Sequence, residues 1–253
     1  MTANAEIPKL LQLSDGVWVR QEIDNMGWAD MGGFTLVVDT LEQPSSRDEV
    51  LAGLEETCGD QPVQVVVNTH THPDHVALNP VFKRMGAEIV NLRTCEIPDA
   101  GRTVSGPARS AHILPMTGTH TREDCVVWLP GDGVLFVGDL FGWGLLPPNT
   151  NLREGLMERV FQVYDQLIAF DARHVVPGHG PLCSTAELRR CRAYFVWLIE
   201  QSKARLANGG VASTGAGASI PPPDDLAGWW RFRQWKHQDS TRKISKAVAK
   251  GWI

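Results

Sequence analysis

The stretch that decides both the fold and the chemistry covers residues 62–75. Its first half, PVQVVVN (62–68), is a short β-branched run that is typical of a buried strand. Its second half, HTHPDH (70–75), places four potential metal ligands within six residues, directly after that strand. Neutral imidazole and carboxylate are the ligands that a borderline divalent ion such as zinc prefers. The sequence therefore predicts a metal site where a buried strand ends.

Three further segments supply side chains of the same chemistry. They are Gly118-Thr119-His120-Thr121, Gly138-Asp139 and Pro177-Gly178-His179-Gly180. Each places a histidine or an aspartate on a predicted loop or just beyond a predicted strand, where loops can converge on one edge of a sandwich. The neighbouring glycines allow tight turns and a close approach of the backbone. We expect all of these side chains to meet at one site.

The rest of the chain alternates between strand and helix patterns, which indicates a mixed α/β unit. Helices are predicted over 46–58, with Ser46 as the N-cap, and over 76–84, 152–170, 185–207 and 226–250. Strands are predicted over 16–20, 32–39, 62–68, 87–92, 112–114 (HIL), 125–130, 134–139 and 174–177, and residues 131–133 form a hairpin turn between two of them.

In their order and separation, the motifs HTHPDH, GTHT, GD and PGHG resemble those of the metallo-beta-lactamase fold superfamily. The resemblance covers roughly residues 15–205. It implies a four-layer αβ/βα sandwich, in which two β-sheets pack face to face with helices outside. It also implies a set of seven metal ligands, and every one of these positions carries the residue type of the family: His70, His72, Asp74, His75, His120, Asp139 and His179.

By this resemblance, His70, His72 and His120 hold a first metal ion, and Asp74, His75 and His179 hold a second. Asp139 bridges the two. The implied chemistry is that of a binuclear hydrolase, in which a metal-bridging hydroxide attacks a small-molecule ester, thioester or lactone. Asp74 is the candidate catalytic residue, because its second oxygen is free to orient the hydroxide or to move a proton. Asp39, at the end of the strand LVVD, is the candidate hydrogen-bond partner of a ligand histidine.

Two divalent ions are therefore expected as cofactors. Zinc is the expected metal, and iron or manganese would suit the same ligands. The aspartate at position 139 is like the glyoxalase II ligand set and unlike that of the zinc β-lactamases with a cysteine ligand. Two alternatives stay open: a mononuclear-iron dioxygenase of the same fold, and a metal-stabilised binding protein that uses its C-terminal segment.

Aromatic and thioether side chains near the predicted site are the candidates for contacts with substrate. Met26 and Trp28 lie on a predicted loop before the strand 32–39, and Phe141 and Trp143 follow Asp139. Apolar side chains in these positions would suit an acyl or ring substrate.

The charge is unevenly distributed along the chain, although the net value is only -5. Residues 1–225 carry 17 Lys and Arg against 28 Asp and Glu, whereas residues 226–253 carry 7 against 1. We therefore divide the chain into a catalytic domain (1–207), a Gly/Ala/Ser-rich linker or surface loop (208–225) and a basic segment (226–253). The basic segment contains four tryptophans, which favours packing on the body, while a homodimer contact is the alternative. His237, within this segment, is expected to be solvated.

The remaining composition narrows the class of protein. An acidic body disfavours binding to nucleic acid, and no apolar run is long enough to span a membrane. Five cysteines without a CxxC pair disfavour a disulfide framework. Together with an N-terminus that does not have the pattern of a secretory signal, these features favour a cytoplasmic enzyme that acts on a small molecule.

Overall fold

The computed structural model describes residues 10–22, 24–142, 152–208, 220–224 and 234–253. The strands are β1 (Leu10–Ser14), β2 (Val17–Arg20), β3 (Met26–Asp30), β4 (Thr35–Val38), β5 (Val63–Val67), β6 (Glu88–Val90), β7 (Arg102–Ser105), β8 (Ser110–Pro115), β9 (Cys125–Leu129), β10 (Val134–Gly138) and β11 (His174–Pro177). The helices are α1 (Arg47–Cys58), α2 (Pro73–Val76), α3 (Asn79–Arg84), α4 (Leu156–Ala169), α5 (Thr185–Ala207) and α6 (Gln234–Ala249).

The strands form two sheets. One has six strands in the order β1-β2-β3-β4-β5-β6, and the other has five in the order β11-β10-β9-β8-β7. Most neighbours are antiparallel, but β4, β5 and β6 are parallel to one another, and so are β10 and β11. In sheets with parallel strands, ligands bind beyond the carboxyl ends of those strands. This topology therefore identifies the edge where a site is expected.

Successive side chains of a strand point to opposite faces of its sheet, and the buried residues therefore form three separate hydrophobic cores. On β10, Val134 and Phe136 face the space between the sheets, whereas Leu135 and Val137 face α4 and α5. On the other sheet, the outward face packs against α1 and α3. Helices thus cover the outer face of each sheet, and the predicted four-layer αβ/βα sandwich is confirmed.

Several local predictions need correction. Strands β1, β3 and β7 were not expected, and the predicted helix 76–84 is divided into the short helices α2 and α3. Ser46 does not cap α1 with its side chain, because it belongs to a 3₁₀ turn whose backbone is already helical. The capping box lies instead at α5, where Ser184 and Glu187 satisfy each other's backbone N–H groups.

The C-terminal helix α6 packs along α5. Ile244 and Ala247 are buried in the core formed by α4, α5 and the second sheet, and Ser202 and Ser245 lie 3.1 Å apart through their hydroxyls. His237 is fully buried, so the expectation that it is solvated is wrong. Of the three tryptophans in the predicted helix 226–250, Trp235 is 60% exposed on α6, and Trp229 and Trp230 lie outside the described residues. Among the helices that the structure describes, none combines the length and the apolarity that a membrane crossing requires.

Candidate metal centre

The predicted ligands follow the carboxyl ends of parallel strands in both sheets. His70 comes three residues after β5, Asp139 follows β10 directly, and His179 comes two residues after β11. His120 lies on the loop between β8 and β9. A backbone hydrogen bond of 2.8 Å from Cys125 N to Thr69 O ties the two sheets together beside these loops. The structure therefore brings side chains from both sheets to one edge of the sandwich.

The first cluster contains His70, His72, His120 and Asp139. His120 Nε2 lies 3.1 Å from His72 Nδ1 and 3.4 Å from Asp139 Oδ2. His70 Nε2 lies 4.0 Å from the same carboxylate oxygen. The four side chains thus offer one candidate ligand atom each, and these atoms all lie within 4.8 Å of one another.

The second cluster contains Asp74, His75, His179 and again Asp139. His179 Nε2 lies 3.1 Å from Asp74 Oδ2 and 3.3 Å from Asp139 Oδ1. His75 Nε2 lies 3.5 Å from Asp139 Oδ1. Because Oδ2 of Asp139 faces the first cluster and Oδ1 faces the second, this carboxylate is shared between them.

The donor atoms suit a divalent metal ion. Ligand atoms of a tetrahedral site with bonds of about 2.1 Å lie about 3.4 Å apart, which is close to the separations in both clusters. Within the described part of the chain, Nε2 of His70 and Nε2 of His75 are buried and make no hydrogen bond. Buried polar atoms without a partner are costly, and coordination of an ion would satisfy both of them.

Two histidines of the first cluster, His70 and His120, have pKa values below the ordinary value of a histidine, which favours their neutral form. Burial and, after it, repulsion from His75 together lower the pKa of His70 to about 2. Burial also lowers the pKa of His120, and this effect outweighs the nearby carboxylate of Asp139. A neutral imidazole offers a free lone pair, so these rings are ready to bind a metal ion without first losing a proton.

In the second cluster, contacts between carboxylates and histidines determine the direction of the pKa shifts. Contact with His179 holds the pKa of Asp74 at about 2. Burial acts to raise the pKa of Asp139, but its contacts with His179 and His75 keep it well below its usual range. In turn, contacts with Asp139, Asp24 and Asp74 raise the pKa of His179 to about 12. The lowered pKa values of the two carboxylates and the raised pKa of His179 have the same cause: the carboxylates attract positive charge to the second cluster.

Asp39 orients the ring of His75, a candidate ligand of the second cluster, through a hydrogen bond. Its carboxylate, 3% exposed, accepts bonds from Thr69 N and Thr69 Oγ1, both at 2.8 Å, and lies 2.9 Å from His75 Nδ1. Burial acts to lower the pKa of His75, but Asp39 and Asp139 outweigh it and raise the pKa to about 10. The predicted hydrogen bond between Asp39 and one of the candidate ligand histidines is confirmed.

Two further carboxylates, Asp24 and Asp124, contact histidines of the clusters and were not predicted from the sequence. Asp24 Oδ1 lies 2.9 Å from His179 Nδ1, although the two are far apart in the chain and no local pattern links them. Asp124 accepts bonds from the backbone N–H of His120 (3.1 Å) and of Thr121 (2.7 Å), and from the Thr121 hydroxyl (2.6 Å). The Thr121-to-Asp124 spacing is a turn signal that could have been recognised.

Gly178 lets the two sheets approach each other at the site. A Cβ at this position would lie 2.2 Å from Asp139 Oδ1 and 2.8 Å from His75 Cε1. Any larger residue would therefore displace ligands of the second cluster.

The candidates for substrate contact are placed differently from the ligands. The prediction that Met26 and Trp28 lie on a loop is wrong, because both belong to β3. They are 0% and 1% exposed, and their side chains pack in the core beneath α1 and α3. Phe141 is 1% exposed and packs in the core under α4, so it does not present its ring at the surface. Trp143 lies outside the described residues.

Comparisons with known proteins agree with this architecture. The family model of the metallo-beta-lactamase superfamily matches residues 25–87, a range that includes the HTHPDH motif. No curated protein matches the chain.

Solved structures of the same fold extend over most of the chain. A metallo-beta-lactamase family protein from Thermus thermophilus has a TM-score of 0.64 and 19% identity over 95% of each chain. A stereoselective inverting sec-alkylsulfatase from Pseudomonas sp. has a TM-score of 0.77 and 13% identity, over 95% of this chain and 50% of that chain. The metallo-beta-lactamase FIM-1 from Pseudomonas aeruginosa, in its mono-zinc form, has a TM-score of 0.54 and 20% identity, over 74% of this chain and 96% of that chain.

Fold and site together define a class of protein: an αβ/βα sandwich with paired histidine–aspartate clusters at the ends of its parallel strands. Residues 25–87 match the family model of the metallo-beta-lactamase superfamily, and the solved structures show that the chain has the metallo-beta-lactamase fold.

Proposed function

We propose that this protein is a metal-dependent hydrolase that binds two divalent cations, one in each cluster, with Asp139 shared between them. The observation that carries the proposal is the pair of clusters itself. Seven side chains from both sheets converge so that each cluster offers four ligand atoms within 4.8 Å of one another. Members of the superfamily are mostly metallo-hydrolases, which supports the same conclusion.

Zinc is the metal that we propose. Each cluster offers imidazole nitrogens and carboxylate oxygens, and the first is rich in histidine, which suits zinc better than the oxygen-seeking magnesium or calcium. The mono-zinc form of a structural neighbour shows that this fold holds zinc in at least one relative. Iron and manganese would suit the same ligands and are distinguished by direct measurement.

Two bound ions would supply a hydroxide nucleophile near neutral pH and would polarise the bond to be broken. The protein holds the reacting groups around them. Asp74 is the more open of the two ligand carboxylates, with 27% of its side chain exposed against 14% for Asp139. It is therefore placed to accept and return a proton at the face from which a substrate approaches.

The proposed substrates are small-molecule esters, thioesters or lactones. All three have a carbonyl group that a hydroxide can attack and whose developing negative charge a cation stabilises. Sulfate esters also belong in any substrate panel, because one structural neighbour is an alkylsulfatase.

The test combines elemental analysis of the purified protein with a panel of carboxylic esters, thioesters, lactones, β-lactams, phosphodiesters and sulfate esters. We expect about two zinc ions per chain, hydrolysis of one of the first three classes, and loss of that activity on chelation. His120→Ala should abolish hydrolysis. His112→Ala is the matched control, since His112 is a partly exposed histidine on β8 that belongs to neither cluster.

Two outcomes would overturn the proposal. A single tightly bound iron with substrate-dependent oxygen consumption would identify a dioxygenase of the same fold. A protein that hydrolyses nothing on the panel, but loses a binding partner when residues 226–253 are deleted, would identify a binding protein.

A further inference from the structure

We propose that Asp24 is a positioning residue that sets the affinity of the second cluster for its metal ion, by fixing the ring of His179. This inference rests on the proposed function, because it assigns a role in holding the second of the two proposed ions. It concerns a residue that lies outside the seven-ligand set and on a different part of the chain from the ligands.

The contact between Asp24 and His179 is short and shielded. Asp24 Oδ1 lies 2.9 Å from His179 Nδ1, and Asp24 is only 9% exposed. A carboxylate acts as an acceptor here, so the proton of the neutral ring is placed on Nδ1. Nε2, which lies 3.1 Å from Asp74 Oδ2 and 3.3 Å from Asp139 Oδ1, is then left as the ligand atom.

The backbone around His179 is held by the same segment. Asp24 and His179 form an antiparallel bridge. Asn25 N donates to Gly178 O at 2.8 Å, and Asn25 Nδ2 donates to Pro177 O and Gly180 O, each at 2.8 Å. Asn25 therefore holds the backbone of the residues before and after His179. This places the ring of His179 within hydrogen-bond distance of the Asp24 side chain.

His179 depends on this contact more than its partner histidine does. The side chain of His75 is 0% exposed and is immobilised by packing, whereas that of His179 is 35% exposed on a loop flanked by Gly178 and Gly180. An exposed ring on such a loop can adopt other rotamers, and the hydrogen bond to Asp24 selects one of them. Loss of the Asp24 carboxylate should therefore weaken the second cluster and leave the first unchanged.

The experiment is a stepwise titration of the metal-free full chain with Zn²⁺ in competition with a chromophoric chelator, repeated with Co²⁺ and monitored by absorption. The variants are Asp24→Ala, which removes the acceptor, and Asp24→Asn, which keeps an acceptor oxygen but removes the charge. Asp48→Asn, on the exposed surface of α1, is the charge-matched control.

We expect Asp24→Ala to lower the affinity for the second ion by about 10- to 100-fold, with the first ion bound as in the parent chain. Asp24→Asn should show a smaller loss, and Asp48→Asn none. The Co²⁺ spectrum of the second step should change in Asp24→Ala, and excess metal should restore its activity without a change in KM. A merely structural role would lower both affinities together and would not be rescued by excess metal.

Unchanged second-ion affinity in both Asp24 variants would overturn the inference, and Asp24→Asn alone decides it if Asp24→Ala does not fold. Failure of the proposed function has a different signature, because the parent chain itself would then not bind two ions in the same titration.

Discussion

The two clusters share Asp139 but are held in different ways. In the second cluster, carboxylates lie beside the outer ring nitrogens of two ligand histidines: Asp39 beside His75 and Asp24 beside His179, both at 2.9 Å. In the first cluster, the outer nitrogen of His70 lies 3.3 Å from the hydroxyl of Thr69 and not beside a carboxylate of the described residues. Carboxylate partners increase the basicity of a ligand imidazole. The second cluster is thus tuned by charge, and the first by burial.

This difference has a consequence for metal binding. In the first cluster the pKa values of His70 and His120 are lowered, whereas in the second cluster those of His75 and His179 are raised to about 10 and about 12. Binding of an ion at the second cluster must therefore release protons to a greater extent than binding at the first. Changes that reach one cluster and not the other test this separation.

The largest expected effect comes from Asp139, the residue that the clusters share. Asp139→Ala removes an oxygen ligand from each cluster, so both ions should be lost or weakened. Hydrolysis should fall by more than about 100-fold, the upper limit for loss of an outer hydrogen-bond partner. Elemental analysis and a rate measurement check this, with the surface variant Asp165→Ala as control. Full retention of two ions would show that Asp139 is not a shared ligand.

Gly178→Ala should weaken the second cluster more than the first, because the added methyl group meets Asp139 on the oxygen that faces the second cluster and also crowds His75. The added methyl group would overlap Asp139 Oδ1 and crowd the ring of His75, so the second ion should be bound at least about 10-fold more weakly. The matched control is Gly131→Ala in the β9–β10 turn, where a Cβ meets nothing within 4 Å. The measurement is the stepwise metal titration, and equal binding by the two alanine variants would contradict the structure.

Asp39→Asn and Asp124→Asn form a pair that should separate the clusters. Asp39 contacts a ligand ring of the second cluster, whereas Asp124 holds the backbone of His120 in the first. We expect Asp39→Asn to weaken the second ion by about 10-fold, and Asp124→Asn to weaken the first by less, because its contact is to the backbone and not to the ring. Metal titrations of both variants measure the two steps. The separation of clusters would be refuted if each variant weakened both ions equally.

The sequence contained the ligands but only part of what surrounds them. His70 to His75 are contiguous, and His120, Asp139 and His179 each adjoin a glycine or follow a strand, so local pattern reveals them. The contact between Asp24 and His179 is formed by the tertiary structure, because the two residues are far apart in the chain and no local sequence motif links them. Strand β3 was missed because it is buried on both faces and contains Gly27, whose missing side chain makes room for Phe136 of the opposite sheet. Met26 and Trp28 were consequently read as loop residues instead of core.

The smallest expected effect concerns His237, a buried histidine that belongs to neither cluster. His237 on α6 is fully buried, lies 2.8 Å from Tyr194 Oη through Nδ1, and lies 2.6 Å from Ile220 O through Nε2. Because a carbonyl oxygen only accepts, Nε2 carries the proton and Tyr194 donates to Nδ1. The site therefore selects the neutral ring, and burial lowers the pKa of His237.

The sign of the resulting pH dependence follows from linkage. The unfolded chain binds a proton at His237 near pH 6.5 while the folded chain does not, so stability is full above about pH 6.5 and falls as the pH decreases below it. His237 should contribute at most about 1.4 kcal/mol of unfolding free energy per pH unit in this range. His237→Gln should be less stable at about pH 7.5 but should lose less stability between about pH 7.5 and about pH 5.5 than the parent chain.

Urea unfolding of both metal-free proteins at the two pH values measures this difference, and the metal-site histidines cancel because they are common to both. Parallel loss of stability in the two proteins would mean that His237 gains its proton without leaving its bonds to Tyr194 and Ile220. In that case burial alone does not keep a histidine of this protein neutral, and the contrast between a first cluster set by burial and a second set by charge would have to be reconsidered for His70 as well.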